Sequence, residues 1–211
     1  GIPLPVTHYR SPMTSHVIIT GDVMADALQF AANKVDRTSD ILNLLGLKPH
    51  RYLLATIHRA ENTDNPERLV NIMSALAELA KTEPVVLPLH PRTKKILKDS
   101  HPSLLASDAM LRIIEPVGYF DVIALARSSR VILTDSGGMQ KEAYWLKVPC
   151  VTLRDETEWV ETVETGWNVL TGADENKIGY FAQNFTPPAE HPSLYGDGRA
   201  AEKIISELGA R

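Results

Sequence analysis

Short runs of apolar, β-favouring residues punctuate this chain: Val17-Ile18-Ile19-Thr20, Tyr52 to Thr56, Val85 to Leu89, Leu111 to Ile114, Val131 to Thr134, Cys150 to Leu153 and Asn168 to Leu170. Most are apolar throughout. A strand wet on one face alternates apolar and polar residues, whereas a strand covered on both faces does not, so these runs predict a parallel sheet sandwiched by helices. Between them, apolar positions recur at helical spacing. Pro66 to Lys81 is the clearest case: Leu69, Ile72, Met73, Leu76 and Leu79 share a stripe, Asn65 stands where a cap belongs, and Pro66 occupies the first turn. Tyr119 to Arg127, Gly138 to Leu146, Glu156 to Glu164, Glu175 to Asn184 and Arg199 to Leu208 are further predicted helices, and Val23 to Leu45 reads as one or two more. Repeated strand–helix alternation implies right-handed crossovers and an α/β fold built on an open, doubly wound parallel sheet.

Ligands of such sheets bind beyond the carboxyl ends of the strands. The residues there are polar or small: His58-Arg59-Ala60-Glu61-Asn62, His90-Pro91-Arg92, Glu115-Pro116, Asp135-Ser136-Gly137-Gly138 and Arg154-Asp155-Glu156-Thr157-Glu158. Their convergence on one rim is the informative signal. Ser136-Gly137-Gly138 opens a predicted helix. Two glycines let a ligand approach the backbone, and the helix head presents free N–H groups and a positive dipole end, a combination suited to a diphosphate. Glu142 lies about one turn further along, where a carboxylate can accept from ribose hydroxyls. The plainer reading is a tight helix start with a surface glutamate. Arg154 either pairs with the neighbouring acids or supports the phosphate loop. His90 is either a loop histidine or a ligand contact, and His58 to Asn62 is either a solvated turn or a polar site with His58 placed for proton transfer.

Several chemistries are disfavoured. The His-Glu-x-x-His spacing of zinc hydrolases is absent, as are a P-loop and a Gly-x-Gly-x-x-Gly after a strand, so no metal, ATP or dinucleotide cofactor is expected. A net charge of -4 argues against a general nucleic-acid surface. Cys150 is the single cysteine, which leaves no internal disulfide and suggests a small buried hydrophobe. No apolar run approaches the ~20 residues of a membrane span, and no signal peptide is visible, so the expected location is cytoplasmic. The 211 residues, 44% hydrophobic and 23% charged, suit one globular domain. Residues 1–16 carry no clear period and read as a linker or the remnant of a preceding domain. Residues 17–211 read as the nucleotide-binding domain, including the last helix.

Thr134 to Ala143, Pro149 to Glu158 and Gly166-Trp167-Asn168-Val169-Leu170 closely resemble the non-hydrolysing UDP-N-acetylglucosamine 2-epimerases. His58 to Asn62 is similar to that family's His-Arg-x-Glu-Asn motif, Thr20 to Leu28 to the start of its second domain, and Tyr195-Gly196-Asp197-Gly198 to its closing motif. The resemblance implies the C-terminal, Rossmann-like half of a GT-B-type two-domain fold. The reaction it implies interconverts UDP-N-acetylglucosamine and UDP-N-acetylmannosamine by elimination and re-addition of UDP, without a cofactor. Carried over by position, Ser136, Gly137 and Gly138 hold the diphosphate and Glu142 the ribose. The loop from Val117 to Val122 covers the uracil, and His58 is the catalytic-site histidine. His90 and Arg154 belong to the substrate site, and Arg59 and Glu61 to the cleft or an allosteric nucleotide. The family adds an N-terminal domain as partner, a homodimer in the full-length enzyme, and a role in cell-envelope polysaccharide synthesis. Alone, this half is expected to bind UDP weakly and to be inactive. Trp159 and Arg92 depart from the family's common Arg and Asn at those positions. A hydrolysing epimerase, a glycosyltransferase domain and a non-catalytic nucleotide-binding module are the alternatives.

Overall fold

The computed structural model describes residues 17–105 and 110–209; the predicted linker, residues 1–16, lies outside them. Six parallel strands form one sheet: β1 Leu53–Thr56, β2 Val85–Pro88, β3 Leu111–Ile114, β4 Val131–Thr134, β5 Cys150–Thr152 and β6 Asn168–Leu170, in the order β3-β2-β1-β4-β5-β6. Successive side chains point to opposite faces, and both faces are buried. Leu53, Ala55, Val85, Leu87, Val131 and Leu133 pack on one side with Leu69, Ile72, Met73 and Leu76 of α5 (Pro66–Leu79) and Ile178 of α10 (Glu175–Asn184). Leu54, Val86, Ile132 and Cys150 pack on the other with Leu125 of α7 (Tyr119–Ser128) and Met139 and Ala143 of α8 (Gly137–Trp145). That two-sided burial explains why most of the runs are apolar throughout. Asn65 caps α5 by accepting from the amides of Glu67 and Arg68. Burial pushes the Cys150 thiol up to about 12, so it is an inert part of the core.

Three expectations need correction. Val17 to Thr20 is not a strand: Val17 and Ile19 are 91% and 93% exposed and pair with no strand among the described residues. β-propensity alone makes no strand without a partner edge. Val23 to Leu45 forms three pieces, α1 Val23–Ala32, α2 Val35–Thr38 and α3 Ile41–Leu44. The helix expected from Glu156 begins only at Val160 (α9, Val160–Glu164), because the preceding residues are held in a loop by Thr157 donating to Gln140 and by Glu158 accepting from Arg154. Two short helices went unpredicted, α4 (Ala60–Thr63) and α6 (Pro91–Ser100).

The segments on either side of this sheet cross at a pair of glycines. Gly21 (φ 104°) and Gly196 (φ 107°) lie so close that a Cβ on Gly196 would stand 3.0 Å from the Gly21 Cα. The crossing is pinned from α8. Lys141, only 3% exposed, pairs with Asp22 and lies 4.1 Å from the Trp159 ring centre and 5.4 Å from those of Trp145 and Tyr195. Asp26 of α1 then accepts from the amides of Ala200 and Ala201, capping α11 (Ala200–Gly209) from a distant part of the chain.

Candidate functional site

Strand order reverses between β1 and β4, and their carboxyl ends open a crevice. Asp135, directly after β4 and inaccessible to solvent, organises it. Its carboxylate accepts from the backbone amides of His58 (3.1 Å to each oxygen) and Arg59 (3.0 Å) and from the side-chain amide of Asn62 (3.2 Å). The loop after β1 is thereby folded onto the loop after β4. The His58 ring is half-exposed, with Nδ1 3.6 Å from Asp135. Buried Asn62 also donates to the Leu153 carbonyl, tying in the end of β5.

The head of α8 lies beside this junction. Ser136 is its N-cap and accepts from Met139 N, while Gln140 N bonds to the Ser136 carbonyl. The amides of Gly137 and Gly138 have no acceptor among the described residues. The helix behind them is buried on nearly all sides, and its dipole ends on these two free N–H groups. Glycine at 137 answers to crowding: a Cβ there would lie 3.2 Å from Trp159 Nε1 and 3.5 Å from both Arg59 Nη2 and Glu158 Oε2.

Next to the helix head is a cavity of about 190 Å³, lined by Thr56, Ile57, His58, Pro88, His90, Pro116, Val117, Val122, Ser136 and Met139. Four of the predicted site residues, His58, His90, Val122 and Ser136, therefore converge on one space. His90 is not in a plain loop: it caps α6, its Nδ1 accepting from Arg92 N, which leaves Nε2 to carry the ring proton.

The other predicted residues stand around this cavity without lining it. Arg154 is buried, with both terminal nitrogens forked onto Glu158 at 2.8 and 3.0 Å and Nε 3.7 Å from Glu61. Of its two sequence readings, the structure displays the ion pair. That pair holds the Glu158 carboxyl down at about 2. Glu61 also meets Arg68, which reaches Asp155 and Asn62. The Arg59 guanidinium faces Gly137 and makes no ion pair among the described residues. Glu142 is buried and accepts from the Tyr119 hydroxyl at 3.1 Å. Desolvation raises its carboxyl, and the Tyr119 hydrogen bond lowers it in part. No group of three His, Cys, Asp or Glu among the described residues is arranged to hold a metal ion. Asp135, Asn62, Tyr119 and Lys141 were singled out for no role of their own, although Asp135 lies in the predicted Asp-Ser-Gly-Gly turn, Asn62 in the His58 to Asn62 motif and Tyr119 in the loop from Val117 to Val122.

The sequence profile of the family described as UDP-N-acetylglucosamine 2-epimerase matches residues 11–209. The chain belongs to this family. Its relatives in the epimerase family include a UDP-N-acetylglucosamine 2-epimerase homolog of Methanococcus maripaludis, 44% identical over 93% of this chain and 55% of the relative. The UDP-2,3-diacetamido-2,3-dideoxy-D-glucuronate 2-epimerase of Pseudomonas aeruginosa is 42% identical over 91% and 52%. Among solved structures, the Methanocaldococcus jannaschii UDP-GlcNAc 2-epimerase in complex with UDP-GlcNAc and UDP superposes with a TM-score of 0.82 at 36% identity, covering 92% of this chain and 55% of that one. The chain thus spans about half the length of the epimerases it matches.

Proposed function

We propose that this chain is the nucleotide-binding half of an enzyme that interconverts UDP-N-acetylglucosamine and UDP-N-acetylmannosamine. In that reaction C2 loses its proton and the C1–O bond to UDP breaks, giving a glycal and free UDP. UDP then re-adds at C1 while C2 takes a proton on the opposite face. The atoms balance without a redox partner. What this chain would supply is the grip on UDP, as both leaving group and returning nucleophile. The reading rests chiefly on the free Gly137 and Gly138 amides at the head of a buried helix whose N-cap, Ser136, lines a cavity together with His58, His90 and Val122. Ser136, Gly137 and Gly138 would hold the diphosphate, Glu142 the ribose, and the wall from Val117 to Val122 the uracil. His58, fixed by Asp135, would serve the departing phosphate. Arg154 would act indirectly, bracing Glu158 and Glu61, and Arg59 with Glu61 would face the cleft to the other half. That cleft, a GT-B-type N-terminal domain carrying the C2 acid–base groups, a homodimer, the cytoplasm and supply of cell-envelope polysaccharides come with the family reading.

The 42% identity to the P. aeruginosa enzyme favours one second reading, the same 2-epimerisation of a diacetamido-glucuronate sugar. Calorimetry tests the shared part: UDP should bind well above UMP, and UMP above uridine. Combining the chain with the N-terminal half of a relative should restore epimerisation, and competing the two UDP-sugars decides the substrate. No heat with UDP would leave only a non-catalytic module. Free N-acetylmannosamine with UDP as products would indicate hydrolysis, and sugar on an acceptor would indicate transfer.

A further inference from the structure

The Glu142 carboxylate is incompletely satisfied. It is 8% exposed, yet the Tyr119 hydroxyl at 3.1 Å from Oε1 is its one hydrogen-bond donor among the described residues, although an ionised carboxylate offers about four lone-pair sites. The sites that Tyr119 leaves open are free to accept from a ligand's hydroxyls. The pair adjoins the cavity. Val117 and Val122 on either side of Tyr119 line it, and so does Met139, one turn before Glu142 on the same helix face. Glu142 stands about 6 Å along α8 from Gly138, the scale of one sugar ring from the helix head. Burial and the Glu142 charge both raise the Tyr119 phenol, so it remains a protonated donor.

We propose that Tyr119 is a specificity-determining residue: its hydroxyl stays on Glu142 Oε1 when nucleotide binds and turns the rest of the carboxylate toward the 2′- and 3′-hydroxyls of the ribose. The pair then selects ribonucleotides over deoxyribonucleotides. The inference rests on the UDP reading above and adds the residue that sets the carboxylate's orientation.

Titration calorimetry of the 211-residue chain with UDP and with 2′,3′-dideoxy-UDP tests it. The unmodified chain should prefer UDP by about a hundredfold, two hydrogen bonds to a charged group. Tyr119→Phe should weaken UDP about tenfold and leave the dideoxy analogue within about twofold. In a Glu142→Gln background the same change should have no further effect, because Tyr119 acts through that carboxylate. If the unmodified chain shows no preference for UDP, the ribose role of Glu142 falls. If the preference is present but Tyr119→Phe preserves it, weakens both ligands equally, or tightens UDP, the ribose role stands and the proposal for Tyr119 is overturned.

Discussion

Asp135 does at one position what two loops need. Replacing it with Asn puts an NH2 group among the amides of His58, Arg59 and Asn62, so donors face donors in a site without water access. Asp135→Asn is expected to cost about 3 kcal/mol of stability, measured by denaturant unfolding, and to weaken UDP as His58 loses its mount. An unchanged midpoint would contradict that role. Glu158 carries a pH signature. Its folded pKa, about 2, lies below its ordinary 4.5, so the ionised group stabilises the fold above pH 4.5 and that contribution disappears as pH falls toward 2. Asp22 acts in the same direction: burial pushes its carboxyl up, but Lys141 and the Met24 amide more than offset this. Thermal midpoints from pH 5 to 2 should therefore fall less steeply in Glu158→Gln. Equal slopes would show that Arg154 and Glu158 are not coupled in solution. The contrast with sequence reading is clear at this scale. The helix head at Ser136, Gly137 and Gly138 was legible because adjacent residues define it. Asp135 with His58, Lys141 with Asp22 and Tyr119 with Glu142 were not, because each pairing exists only after distant loops meet.

Strands and long helices followed from the apolar pattern because a doubly buried sheet demands it. The failures have separate physical causes. α6 is amphipathic, but its composition is strongly polar and Leu97 is its main core contact, so few apolar residues mark it in the sequence. Val17 to Thr20 has the composition of a strand but reaches no open edge. α11 is held by its start: Asp26 accepts from two of its first amides, while Ile205 and Leu208 on its outer surface are 70% and 69% exposed. Asp26→Ala is expected to destabilise the helix by about 1 kcal/mol, and limited proteolysis should then cut within 200–209 before the sheet opens. Unchanged cleavage there would show that the cap contributes little.

Over the whole molecule, a strand order that reverses between β1 and β4 puts the crevice where the glycine-headed helix begins, so fold and site share one origin. The chain matches about half of its relatives' length, and in the proposal above this half holds the nucleotide side of the chemistry. Alone it should bind UDP without epimerising the sugar; turnover by the isolated 211-residue chain would overturn that division of labour. The central claim is that the Gly137 and Gly138 amides take the diphosphate. Backbone amide NMR during a UDP titration addresses it directly. The resonances of Gly137 and Gly138 are expected to move furthest, with His58 and Val122 following. Saturating UDP that leaves those two amides in place while shifting others would contradict it.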